Sequence, residues 1–302
     1  MKNVKTCDIC PRNCKIDRGL QNGICSVGNT LRIGRIAPHM WEEPCISGEK
    51  GSGAIFFAGC NLKCVYCQNE RLSRGIAGQE YSVETLVSEM LKLQEQGVHN
   101  INLVTPTHYV PWIVRALGSA KEKGLKIPVV YNTSGYEKKE SLKMLEGLVD
   151  IYMPDFKYLS PALAEKYSRA KDYPEIVKSA LQEMFRQVGT PEFAEDGMMK
   201  KGILVRHLVL PGQTDEAKAV VRYLYESFGD NIYISIMNQF TPFGNLEKFP
   251  ELQRAVSEEE YEDVVNYAIE IGVENGFIQE GGTSSESFIP DFVENNSKVL
   301  LE

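Results

Sequence analysis

No cysteine follows residue 67, although that residue and the stretch before it hold eight. A disulfide scaffold spreads its bridges through a small secreted domain, so this crowding at one end of a 302-residue chain argues against one. No apolar run approaches the ~18 residues of a membrane helix. Residues 53–59, among the most apolar, are of strand length. Residues 1–10 are polar and carry no apolar signal core, so the expected location is the cytoplasm. There is no basic excess: 33 Lys and Arg stand against 41 Asp and Glu. That balance argues against a general nucleic-acid footprint. Internal repeats and low-complexity tracts are also lacking. What is present is ordinary globular material, 43% hydrophobic and 25% charged, which argues against a largely disordered chain.

The cysteines form two groups. Cys60, Cys64 and Cys67 are spaced C-x3-C-x2-C on one short stretch that follows the apolar run 54–58. Iron–sulfur clusters are held by cysteine thiolates, usually four. Three ligands would leave one iron open, as in sites that bind substrate. Cys7, Cys10, Cys14 and Cys25 form a second candidate set. Four cysteines can close a tetrahedral zinc site or hold a second iron–sulfur cluster, and redox-active thiols are a third reading. Cys45 stands alone; it is either an alternative ligand of that set or a small buried apolar residue.

Beyond Cys67, short β-rich runs alternate with helical periodicity, the pattern of a parallel sheet wrapped by helices. Strands are expected at 101–104, 128–133, 150–156, 202–210 and 231–237, with a last short one at 277–279. Ser160-Pro161 reads as a helix start, and Ser257 to Glu260 as a capping box. Counted from Ala54 there are six β/α pairs, two short of a closed barrel. Residues 190–201 read as a loop that could cover the barrel mouth. The expected organisation is a Cys-rich metal-binding segment, 1–50, followed by an α/β partial barrel, 51–302.

The Cys60, Cys64, Cys67 spacing, with aromatic Tyr66 before the last cysteine, resembles the radical S-adenosylmethionine superfamily. Residues 41–48 (Trp-Glu-Glu-Pro-Cys-Ile-Ser-Gly) and 100–108 (Asn-Ile-Asn-Leu-Val-Thr-Pro-Thr-His) narrow the likeness to a branch named for its similarity to pyruvate formate-lyase activating enzyme. The resemblance implies a partial (β/α)6 barrel and a [4Fe-4S] cluster whose open iron chelates S-adenosylmethionine. It implies reductive cleavage of that cofactor to a 5′-deoxyadenosyl radical, which abstracts hydrogen from a substrate. It further implies a one-electron donor such as flavodoxin or ferredoxin. The substrate would be a glycyl-radical enzyme; a small molecule or RNA is the alternative. A zinc-stabilised, non-catalytic binding protein is the competing reading from another class.

Polar residues at strand ends should line the working face of such a barrel. Thr105 and Thr107 stand where the family often has a Gly-Gly-Glu stretch, and could supply donors to the methionine instead. His108 is a candidate substrate contact. Asn132 and Thr133, then Asp155 and Lys157, resemble stretches that lie beside the methionine and ribose in the activating enzymes. Asp155 and Lys157 share one face at period two, and a carboxylate beside an ammonium can fix a zwitterion. Arg206 resembles the family residue near the carboxylate or ribose, and Gln239 is a candidate ribose partner.

Overall fold

The computed structural model describes residues 6–279. Ten strands form one open sheet: β1 (Leu31–His39), β2 (Ser52–Phe57), β3 (Gln79–Tyr81), β4 (Ile101–Val104), β5 (Val129–Thr133), β6 (Ile151–Pro154), β7 (Glu192–Phe193), β8 (Met199–Leu208), β9 (Tyr233–Met237) and β10 (Gly276–Ile278). Their order is β10-β9-β8-β6-β5-β4-β2-β1-β3, with β7 paired only to β8. From β2 to β10 neighbouring strands on this path run parallel, which short apolar runs separated by helices require. β1 and β3 add antiparallel at one edge. β3 and β10 do not pair with each other, so the barrel is partial.

The helices close the outer face. The helix Val83–Glu95 starts at Ser82, whose hydroxyl accepts the Thr85 N–H, and buries Leu86, Val87, Met90 and Leu93. Ser160 caps Pro161–Ser168 in the same way, and the capping box at Ser257 and Glu260 is formed.

The bore is filled from within. β1 ends at His39, opposite the first residue of β2, and the chain then turns inside as a strap through residues 40–47. At its end the short helix Pro44–Ser47 packs Cys45 and Ile46 against Val130, Ile151, Met153, Met199 and Leu204. Asn100 fastens this plug: its amide donates to Ile46 O at 2.7 Å and its carbonyl accepts from Ser52 Oγ at 2.6 Å. Cys45 is therefore a packing residue, and its alternative place among the N-terminal ligands is withdrawn. Residues 190–201 also differ from expectation. They form the β7–β8 hairpin, in which Glu192 pairs with Lys201 and Phe193 with Met199. Those residues precede Gly202, which is level with the first residue of β6. The hairpin thus lies at the end of the sheet away from the strand C-termini and covers no mouth.

Candidate active site

The C-terminal ends of the parallel strands surround a cavity of about 270 Å³. Cys60, Cys64, Tyr66 and Cys67 border it from the loop after β2. Thr105, Asn132, Thr133, Asp155, Lys157, Arg206 and Gln239 border it from the later strands. Eleven of the thirteen residues expected around cofactor and substrate, the trio included, thus border one cavity.

The loop after β2 starts at a forced position. Gly59 has φ +87°, and a Cβ there would meet Cys25 O at 2.5 Å. Burial pushes the Cys60 thiol up to about 12, and its neighbours Cys64 and Cys67 add to that. A bound cation reverses such a shift, because metal ligation requires the thiolate. Ser168 Oγ lies 3.0 Å from Cys64 Sγ and 2.9 Å from Tyr158 Oη, which is bonded to the Tyr66 hydroxyl. Tyr66 also packs edge-on against Phe240.

Opposite the thiols lies a buried ionic cluster. Arg206 donates from Nε to Asp155 at 3.2 Å, from Nη1 to Glu42 at 2.9 Å and from Nη2 to Asn132 at 2.7 Å. Asn102 Nδ2 donates to the other Glu42 oxygen at 2.8 Å. Three of its five N–H donors are held by protein groups, so Arg206 organises the cavity wall that it borders and keeps donors on that wall. Lys157 Nζ lies 2.8 Å from Asp155. Burial opposes the charge on both, but each holds the other ionised: Asp155 is kept below, and Lys157 above, its ordinary value. Thr105 is left-handed at φ +59°, an outlier for a β-branched residue, and it borders the cavity.

Two expected residues lie elsewhere. Thr107 is buried and donates to Glu137 Oε1 at 2.5 Å. His108 is buried, with Nε2 2.8 Å from Ala58 O; burial pushes its pKa down to about 3, so the ring is neutral and structural. The 3-10 turn Thr107–Tyr109 carries both behind the sheet end.

Sequence reasoning missed Glu42, Asn102, Tyr158, Ser168 and Glu137. The signal for Glu42 and Asn102 was present in segments 41–48 and 100–108, whose side chains meet across the bore. Glu137 accepts the hydroxyls of Thr107 and Thr133, and burial pushes its pKa up to about 7. Its folded pKa exceeds the unfolded one, so unfolding releases a proton between them. Stability from this group is therefore full below about pH 4.5 and lost as pH rises through about 7. Glu137→Gln should flatten that decline, which is on the order of a few kcal/mol. Urea unfolding at about pH 5.5 and about pH 8 checks it; an equally steep decline in the variant would contradict it.

The family described as the Radical SAM superfamily matches residues 54–224. The chain belongs to the radical SAM superfamily. Membership implies a [4Fe-4S] cluster and S-adenosylmethionine as cofactors. The chemistry of three cysteines on one loop beside a cavity fits that pair. An uncharacterized protein of Methanocaldococcus jannaschii is 27% identical over 283 residues, 88% of this chain and 75% of its own length. A second uncharacterized protein of that organism is 26% identical over 160 residues, 47% of each chain. Among solved structures, Streptococcus suis SuiB bound to S-adenosylmethionine superposes with a TM-score of 0.50 at 15% identity. The match covers 73% of this chain and 48% of SuiB, and it agrees with the partial-barrel fold of this radical SAM protein. Among the described residues no helix is long and apolar enough to cross a membrane.

Proposed function

We propose that this radical SAM enzyme holds its cluster on Cys60, Cys64 and Cys67 and seats S-adenosylmethionine across the adjoining cavity. The observation that carries the reading is the meeting of three loop thiols with Lys157, Asp155, Asn132 and Thr133 around one cavity. When bound, cluster and cofactor supply one-electron reductive chemistry and a 5′-deoxyadenosyl radical. The chain's own residues bind, orient and exclude water. Among the described residues the Lys157 ammonium is bonded to Asp155 alone, so it has donors left for the methionine carboxylate. Asp155 is placed for the amino group or ribose, and Gln239 and Thr133 for ribose hydroxyls. Tyr66 and Phe240 offer an apolar wall to the adenine.

For the substrate we infer a protein, with a glycyl-radical enzyme as the specific expectation from the activating-enzyme-like segments 41–48 and 100–108. Among the described residues no strand pairs with the outer edges of β3 and β10, which leaves one side of the barrel open. Trp41, 58% exposed, stands on the cavity rim as an apolar contact for a large partner. A one-electron carrier such as flavodoxin or ferredoxin would supply the electron.

The test is electron paramagnetic resonance of the anaerobically reconstituted, reduced protein, with and without S-adenosylmethionine. The reading expects a four-iron signal that the cofactor alters. A signal indifferent to the cofactor would overturn it. A radical doublet on an added glycyl-radical enzyme would support the substrate assignment, and turnover of an RNA or small molecule with no such doublet would replace it.

A further inference from the structure

Glu137 is 2% exposed, and among the described residues no cation is set against it. The groups that face it are hydroxyls. Thr107 comes from the turn after β4 and Thr133 from the end of β5. The phenols of Tyr131 in β5 and Tyr152 in β6 stand nearby. An isolated buried carboxylate is costly to ionise, so this group stops stabilising the fold as pH rises through about 7. A glutamine would accept the same two hydroxyls without that penalty. Sequences depart from local consistency mainly at functional or strained sites.

The geometry shows what a carboxylate adds. Oε1 accepts both threonine hydroxyls, and Oε2 has no hydrogen-bond partner among the described residues. Hydrogen bonds to a charged acceptor are roughly twice as strong as neutral ones. Thr107 stands behind the sheet end, but Thr133 borders the cavity. Thr133 Oγ1 also accepts the Gly135 N–H at 3.3 Å. A threonine hydroxyl has one proton and two lone pairs. The proton is committed to Glu137 and one lone pair to Gly135, so a single acceptor lone pair is left for the cavity.

The turn that carries this hydroxyl is fixed. Gly135 has φ +74°, and a Cβ there would meet Asp155 O at 2.5 Å. Tyr173 Oη lies 2.9 Å from Ser134 O, and Glu137 N–H donates to Gly135 O at 2.9 Å.

We propose that Glu137 is a positioning residue for S-adenosylmethionine: by holding the Thr133 proton it makes Thr133 a pure acceptor, which takes a donor of the cofactor, a ribose hydroxyl, and turns away groups that only accept. The proposal rests on the functional reading above. Glu137 acts through Thr133 and does not itself border the cavity. When Glu137 is neutral its hold on that proton weakens, and the Thr133 hydroxyl is free to turn. Cofactor binding therefore favours ionised Glu137, and ionised Glu137 favours binding to the same degree.

The test is the dissociation constant of S-adenosylmethionine on the intact, anaerobically reconstituted protein, by equilibrium dialysis at about pH 6 and about pH 8. The affinity of wild type relative to Glu137→Gln should rise about fivefold between the two, the worth of one hydrogen bond. Titration of the cofactor itself, or of His39, Asp155 and Lys157 around the cavity, is common to both proteins and cancels in that ratio. A ratio that does not change with pH would overturn the proposal. Thr133→Val keeps the side-chain shape and leaves Glu137 in place, so it decides the matter even where Glu137→Gln does not fold. Relative to it, wild type should show the same rise, and a constant ratio would again overturn the proposal. In the Thr133→Val background, Glu137→Gln should change affinity by less than about twofold. A residue that merely shaped the turn would weaken binding in both backgrounds and at both pH values, and that result too would overturn the positioning role. A wild type that binds no cofactor would sink the functional reading, whereas one that binds with a constant ratio sinks this proposal alone.

Discussion

Cys64→Ala is expected to abolish S-adenosylmethionine cleavage while the protein stays folded. Cys64 borders the cavity, half-buried, on a loop that its own backbone already secures: Val65 N–H donates to Tyr167 O at 2.9 Å and Lys63 N–H to Ser168 O at 3.4 Å. The side chain contributes one weak sulfur contact to Ser168, so removal should shift the melting temperature by only a few degrees. Loss of one of three ligands should strip the iron at this loop and lower 5′-deoxyadenosine release by at least ~10³-fold. Product release at the wild-type rate would refute the assignment of this trio. A collapse of the fold would show that the Cys64 side chain or the cluster it holds, and not the loop's backbone bonds, had been carrying stability.

Arg206→Met should produce the largest loss of stability. Methionine fills much the same volume but removes the cation shared by Glu42 and Asp155, whose side chains are 7% and 19% exposed, and leaves Glu42 with no cationic partner among the described residues. Removing one partner of a buried ionic group costs about 3–5 kcal/mol, because the remaining charges have no solvent to turn to. In a chain of this size that corresponds to a fall of roughly 10 °C in melting temperature. Thermal unfolding followed by circular dichroism checks it. Adding Glu42→Gln to the variant should recover part of the loss, since Glu42 is the carboxylate left without a cation while Asp155 keeps Lys157 at 2.8 Å. A loss below about 1 kcal/mol would place the cluster among solvent-screened surface pairs.

The strands were legible because each buried parallel strand is an apolar run bounded by helical periodicity. Residues 101–104 and the Ser257 capping box needed no correction. Antiparallel β1 was missed because Pro38 interrupts it and its partner β2 lies beyond the strap. The strap itself has no periodicity, since Met40 and Trp41 stay exposed while Cys45 and Ile46 pack inside the bore. The partner that holds Arg206, Glu42, was not legible because it lies 164 residues away. Thr107 and His108 failed for another reason: strand parity stops at Val104, and the turn after it reverses which side chains face the cavity. Asp155 and Lys157 do border the cavity, because they lie immediately beyond the end of β6, where alternation still holds.

The filled bore also sets an order of assembly. Glu42 and Asn102 come from chain made early, but Arg206 is reached only at β8. The strap cannot be locked until most of the sheet has formed around it. Contacts of such long sequence separation are slow to close, since the intervening chain must first lose its freedom. Residues 40–47 leave the ribosome before the barrel and settle into it near the end of folding.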